Sequence, residues 1–173
     1  MDSDFARSAM RPEPFAPPGA SLNMPPALDS AVGRRLAMLL AQTPLSDRRA
    51  WGAAFASFAL ADVADVVSFS PEGYTRTLLA CTEDAEILVL GWLPGQASPV
   101  HGHGASEGLI QVLAGVGSEE CYRLDRGELV SDRVHTFAEG ERIVEPRGSH
   151  HRVWNSGAAP LVTLHLYAPR QAH

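Results

Sequence analysis

The chain has 173 residues, 45% of them hydrophobic, and 14 basic against 20 acidic side chains give a formal net charge of −6, which suits one domain with a real core. Every basic residue is arginine and the only doublets are Arg34-Arg35 and Arg48-Arg49, so the chain lacks the electrostatic footprint of a nucleic-acid binder. No apolar run approaches the ~20 residues of a membrane span, the N-terminus lacks a secretory layout, and Cys81 and Cys121 stand apart with no CxxC, so a reduced, cytoplasmic protein with two free thiols is expected.

Residues 1–26 contain Pro12, Pro14, Pro17, Pro18, Pro25 and Pro26 and almost no apolar periodicity, which predicts an extended or partly disordered arm. From Leu28 to Ala41, the apolar residues Val32, Leu36, Leu39 and Leu40 recur at helical spacing. Ser46 can cap a second helix, with Asp47 favourable in its first turn. Trp51, Phe55 and Phe58 then form a stripe suited to packing on a barrel wall. Beyond Gly73 the pattern changes to period two. Strands are predicted at 74–81, 85–92, 108–113, 118–124, 128–135, 141–146, 151–155 and 160–168, punctuated by Gly, Pro, Asp and Asn. Many short strands with tight connections indicate a mostly β jelly-roll barrel or sandwich under a small N-terminal helical cap. The expected organisation is an arm over 1–26 and a single domain over 27–173, with helices at about 28–59 and the barrel at about 74–168.

Two segments carry the chemistry. The first has the form G-x5-H-x-H, from Gly95 to His101 and His103. The second has the form G-x5-P-x-G-x2-H-x3-N, through Gly140, Pro146, Gly148, His151 and Asn155. Together they resemble the two signature segments of the cupin barrel. On a strand, His101 and His103 share a face. Three neutral imidazoles, His101, His103 and His151, can then meet at one divalent metal and leave positions open. His150 adjoins His151 and must face the other way; the spacings to Gly148 and Asn155 select His151. Many cupins carry a Glu five residues after the second His, where this chain has Gly108. Glu107 lies one residue earlier and turns away on a regular strand, unless a bulge restores it.

Four segments, two of them overlapping those above, resemble the cysteine dioxygenase family of thiol dioxygenases over roughly residues 28–170: Tyr74-Thr75-Arg76-Thr77-Leu78-Leu79, Trp92-Leu93-Pro94-Gly95-Gln96, His151-Arg152-Val153-Trp154-Asn155 and Leu164-His165-Leu166-Tyr167-Ala168-Pro169. The resemblance implies a ferrous ion, Fe(II), held by His101, His103 and His151, with a small thiol and O2 as substrates and a sulfinic acid as product. It implies that Arg76 grips the substrate carboxylate beside Tyr74. It implies that Tyr167 sits near the iron, hydrogen-bonded by His165, with Thr163 where the family has Ser. Animal members carry a cysteine that crosslinks to the tyrosine; Gly108 stands there, so Tyr167 should be unmodified. Glu107 replaces a usual His, and Trp154 a commonly acidic residue. A cis Ala168–Pro169 bond is also implied.

The residues allow plainer readings. Arg76 can be a structural ion pair or a surface side chain. Thr163, His165 and Tyr167 share one face of the last strand, opposite Val162, Leu164 and Leu166, and such a trio is either solvent-exposed or an internal hydrogen-bonded network. Cys81 and Cys121 read as packed strand residues, Glu119-Glu120 as a solvated face, and His135 and His173 as ordinary surface or terminal residues. No carboxylate stands out as a general base, which argues against a hydrolytic zinc site. The expectation is therefore a monomeric iron thiol dioxygenase, without nucleic-acid or membrane partners, acting on L-cysteine. The rivals are a dioxygenase of 3-mercaptopropionate or mercaptosuccinate, and a metal cupin that binds a small acid without dioxygenase activity. Members preferring 3-mercaptopropionate tend to have Gln at the Arg76 position.

Overall fold

The computed structural model describes residues 21–171. Helix α1 (Ala31–Gln42) starts at Ser30, whose side chain accepts from the Gly33 N–H. Helix α2 (Arg48–Ala56) starts at Asp47, whose carboxylate accepts from the Ala50 N–H. The cap is therefore Asp47 and not Ser46, which lies one position too early for its oxygen to serve the first turn. A short helix α3 (Leu60–Val63) follows.

The strands are β1 (Leu22–Asn23), β2 (Thr75–Cys81), β3 (Glu86–Trp92), β4 (His101–Gly102), β5 (Glu107–Ala114), β6 (Val116–Asp125), β7 (Glu128–Ala138), β8 (Arg142–Glu145), β9 (His150–Asn155) and β10 (Leu161–Ala168). They form a six-stranded sheet, in the order β1-β2-β3-β10-β5-β8, and a four-stranded sheet, in the order β4-β9-β6-β7. The fold is a mostly β two-sheet cupin barrel with helices at its N-terminal side. Of the segment read as an arm, residues 1–20 lie outside the described residues. Residues 21–26 are extended, and β1 runs parallel to β2 with Leu22 N–H donating to the Tyr74 carbonyl.

Two apolar layers lie on opposite faces of the larger sheet. On one face Val32, Leu36, Leu40, Trp51 and Phe55 from the helices pack on Leu79, Ile87, Val89, Val162, Leu164 and Leu166. On the other, Leu88, Leu90, Trp92, Val112, Leu161 and Tyr167 join Phe137 of the second sheet inside the barrel. Strand β3 is buried along its whole length, as a strand covered on both faces must be. Strand β10 shows what the alternation accomplishes: its aliphatic face meets the helices, so Thr163, His165 and Tyr167 are sent into the barrel. A register shift in β2 between Leu78 and Ala80 lets Leu78 join the inner layer while Leu79 and Ala80 join the outer.

Candidate metal centre

Strand β4 pairs antiparallel with β9, His101 opposite His151 and Gly102 opposite His150. His103 follows directly. Gly148 adopts a φ of 71°, open to glycine at no steric cost, and makes the turn that delivers β9. Its N–H also donates to the Gly104 carbonyl, which ties the two histidine segments together. As a result His101, His103 and His151 present ring nitrogens that all lie within 4.8 Å of one another. His103 Nε2 and His151 Nε2 are 2.9 Å apart. His150 lies over Gly102 and outside this group.

The other nitrogens of these rings are held by the protein. His101 Nδ1 faces the Pro99 carbonyl at 2.9 Å, and His151 Nδ1 faces Glu119 Oε1 at 2.5 Å. His103 Nδ1 meets the side-chain amide of Gln171. Such contacts fix tautomer and ring orientation, which leaves Nε2 of His101 and His151 free as lone-pair donors. Burial, with the nearby His151, lowers the His101 pKa to about 4, so this imidazole is neutral at physiological pH. For His151 burial works in the same direction, but the hydrogen bond to Glu119 and the charge of Glu145 outweigh it and raise the pKa. The donor set and its orientation fit a divalent metal.

Two carboxylates correct the sequence reading. Glu119 is not on a solvated face: it is 5% exposed, and besides His151 it meets His135 Nε2 at 3.1 Å. His135 is thereby tied to the site from β7 instead of standing as an ordinary surface residue. Glu145 is 4% exposed, with Oε2 2.9 Å from His103 Nε2 and Oε1 3.4 Å from His151 Nδ1. Burial disfavours its ionised form, but the adjoining imidazoles of His103 and His151 hold its carboxyl below the usual carboxylate range. The site thus contains a carboxylate that the spacing of the histidines did not reveal. The only advance signal was Gly108, whose missing side chain leaves room opposite Glu145. Glu107 turns outward and pairs with Arg48 at 2.6 Å.

Behind the histidines lies a cavity of about 60 Å³ lined by Tyr74, Arg76, Trp92, Glu145, Tyr167 and Gln171 among others. Arg76 is half-buried, with Nη2 3.3 Å from Gln171 Oε1. Tyr74 stacks on Trp92 with centroids 4.0 Å apart. Tyr167 leans on the His103 ring at 4.7 Å. His165 bridges Tyr167 and Thr163, with Nδ1 2.9 Å from the phenol oxygen and Nε2 2.7 Å from Thr163 Oγ1. Trp92 Nε1–H donates to the same Thr163 oxygen at 3.2 Å, a fourth member of the network. Burial lowers the His165 pKa to about 3 and, with the charge of Glu145, raises that of Tyr167 well above its ordinary value. The Ala168–Pro169 bond is cis. Cys81 and Cys121 are free.

A larger cavity of about 560 Å³ lies outside the barrel, between α2 and strands β5, β8 and β10, and includes Arg48, Trp51, Glu107 and Val144. None of the three histidines lines it, so its size does not make it the seat of chemistry. No helix among the described residues is long and apolar enough to cross a membrane.

Solved structures with a similar fold include the TT1209 protein of Thermus thermophilus, at 25% identity and a TM-score of 0.54 over 62% of this chain and 94% of that one. A Klebsiella pneumoniae protein with a double-stranded beta-helix domain gives 22% identity and a TM-score of 0.52 over 62% of this chain and 81% of that one. The Schizosaccharomyces pombe Cnp3 cupin domain gives 14% and 0.51 over 61% and 71%. These likenesses speak for the cupin fold. The family model for cysteine dioxygenase type I matches residues 50–172, a span that includes the three converging histidines, Arg76 and the Thr163–His165–Tyr167 network. With that match covering most of the barrel and its site, the chain belongs to the cysteine dioxygenase type I family.

Proposed function

We propose that this chain is a ferrous thiol dioxygenase that joins both atoms of O2 to the sulfur of a small carboxylated thiol, L-cysteine foremost, and so yields a sulfinic acid. The observation that carries this reading is the facing of His101, His103 and His151 toward a small cavity that also contains Arg76 and Tyr167. Iron bound by the three imidazoles supplies the redox chemistry between thiol and O2. The remaining work falls to the chain. The planar guanidinium of Arg76 binds a carboxylate through two parallel N–H bonds and carries a permanent charge. Tyr74, flat against Trp92, walls the same end of the cavity.

The hydrogen-bond order within the network follows from its donors. Thr163 accepts from Trp92, which leaves its own hydroxyl hydrogen for His165 Nε2. The proton of neutral His165 is then on Nδ1 and is donated to the Tyr167 oxygen. The phenol hydrogen is left to point into the cavity, as a donor toward whatever sits there. Because its pKa is raised, Tyr167 keeps that hydrogen at physiological pH. Its role is to orient the reactants, with the buried setting strengthening each polar contact.

The test is oxygen uptake by the iron-loaded protein with a panel of thiols, and product mass under isotopically labelled O2. Uptake should require a thiol with a carboxylate, should be strongest with L-cysteine, and should place both labelled atoms in the product. Strongest uptake with 3-mercaptopropionate or mercaptosuccinate would move the substrate to those acids. Uptake that no thiol stimulates would leave a metal cupin that binds a small acid.

A further inference from the structure

Gln171 stands beyond the end of β10, yet its side chain lines the cavity of the metal centre. The segment that carries it is anchored on Glu86, a carboxylate with no solvent exposure. Glu86 Oε1 accepts from the Gln171 N–H at 3.3 Å, and Glu86 Oε2 lies 3.6 Å from Arg170 Nε. Glu86 is also the cross-strand partner of Tyr167, so the anchor belongs to the register that places the Thr163–His165–Tyr167 network. Held in this way, the Gln171 amide reaches two parts of the cavity. Its Oε1 lies 3.3 Å from Arg76 Nη2, and its nitrogen meets the His103 ring. Gln171 therefore touches both ends of the path that a thiol acid takes in the function proposed above, with the carboxylate at Arg76 and the sulfur among the histidines.

We propose that Gln171 is a specificity-determining residue, whose Oε1 accepts a hydrogen bond from the α-nitrogen of an amino thiol acid. This deepens the function proposed above and rests on it. An ionised carboxylate is a stronger acceptor than an amide, so a bound substrate takes the N–H bonds of Arg76. Oε1 of the half-buried Gln171 is then short of a donor, and an atom left so costs affinity. In L-cysteine the carbon next to the carboxylate bears a nitrogen with hydrogens to donate, which restores the lost bond. 3-Mercaptopropionate has only a methylene there. Mercaptosuccinate brings a second carboxylate, which sets an acceptor against an acceptor. The Gln171 amide thus separates acids that the charge of Arg76 alone treats alike.

The test compares the iron-loaded, full-length wild type with Gln171→Leu, which is of similar size but has no amide. The ratio of kcat/KM for L-cysteine to that for 3-mercaptopropionate should fall about 10-fold, through a higher KM for L-cysteine, with the constants for 3-mercaptopropionate little changed. Binding is read apart from turnover by thermal unfolding without O2. The rise in Tm that L-cysteine gives the wild type should shrink in Gln171→Leu, while the rise given by 3-mercaptopropionate should persist. Gln171→Ala should repeat both shifts, and it serves equally if Gln171→Leu does not fold. A wild type that oxidises L-cysteine, with the ratio and the two Tm rises unchanged in these variants or with equal losses on both acids, would overturn the role of Gln171 alone. So would a preference that collapses in Glu145→Gln and not in Gln171→Leu, since the amine would then sit at that carboxylate. A wild type that oxidises neither acid would overturn the proposed function together with this inference.

Discussion

In the proposed function, Arg76 is the residue on which substrate class turns. A half-buried guanidinium lining a small cavity makes a charge-assisted contact with a carboxylate worth roughly 1.5–3 kcal/mol. Arg76→Ala should therefore reduce kcat/KM for carboxylated thiols by about 10- to 150-fold. The loss should be much smaller for cysteamine, which has no carboxylate, and iron content should stay near wild type. Equal losses on cysteine and cysteamine would remove Arg76 from substrate recognition. His165 makes a separate prediction. Its pKa of about 3 in the fold lies below the roughly 6.5 of an unfolded histidine, so between those values the unfolded chain binds the extra proton. Stability should then be independent of this residue above pH ~6.5 and fall as pH drops below it, by up to ~1.4 kcal/mol per unit. Denaturant titrations across pH should show a shallower acid slope in His165→Gln than in wild type; an unchanged slope would mean that His165 titrates normally.

At the scale of elements, the start of α2 separates two capping residues one position apart. Asp47 accepts from the Ala50 N–H, whereas the sequence reading placed the cap at Ser46 and Asp47 in the first turn. Asp47→Ala should lower stability by about 0.5–2 kcal/mol, and Ser46→Ala by only a few tenths. Equilibrium unfolding of the two variants decides this, and the reverse ranking would place the helix start a residue earlier. The β6–β9 pairing has a comparable consequence for the site. It sets Cys121 opposite His151 and Glu119 opposite Val153, and the Glu119 side chain reaches His151 Nδ1. One strand of the smaller sheet thus fixes the tautomer of a residue on its neighbour. The thiol of Cys121, raised in pKa by burial and by Glu119, stays protonated beside it.

For the whole molecule, a metal that binds the folded chain and not the unfolded one stabilises it by mass action, by ~2.7 kcal/mol at a concentration 100-fold above Kd. In a chain of this length that is a rise in Tm of roughly 5–10 °C. Iron(II) or cobalt(II) should give it, a chelator should remove it, and His151→Ala should not show it. The absence of a rise in wild type would argue against a folded metal site. The covalent state is also set at this scale. Position 108 lies against Tyr167, a Cβ there falling 3.0 Å from Cε1, but glycine brings no sulfur. Intact mass should equal that of the sequence, with Cys81 and Cys121 both reactive after unfolding; a loss of two hydrogens would reveal a crosslink.

What the sequence determined by itself is whatever depends on periodicity and spacing. The alternation of β10 put Thr163, His165 and Tyr167 on one face, because successive strand residues must face opposite ways; that this face is the inner one was decided by the helices packing on the other. The spacing in the two histidine segments picked His151 over His150 for the same reason. The aromatic stripe of α2 and the aliphatic stripe of α1 were legible because burial of one helix face requires them. Other features were decided only by tertiary structure. Glu119 and Glu145 look like surface acids in the sequence, since nothing local distinguishes a carboxylate facing water from one facing an imidazole on another strand. Their positions depend on strand register, on β6 beside β9 and β8 beside β5, and that register is fixed by packing of the whole barrel. Trp92 and Gln171 joined the site in the same way, through contacts with residues 71 and 68 positions distant, Thr163 and His103. Histidine spacing within a strand can be read along the chain; the charge that surrounds those histidines comes from across it.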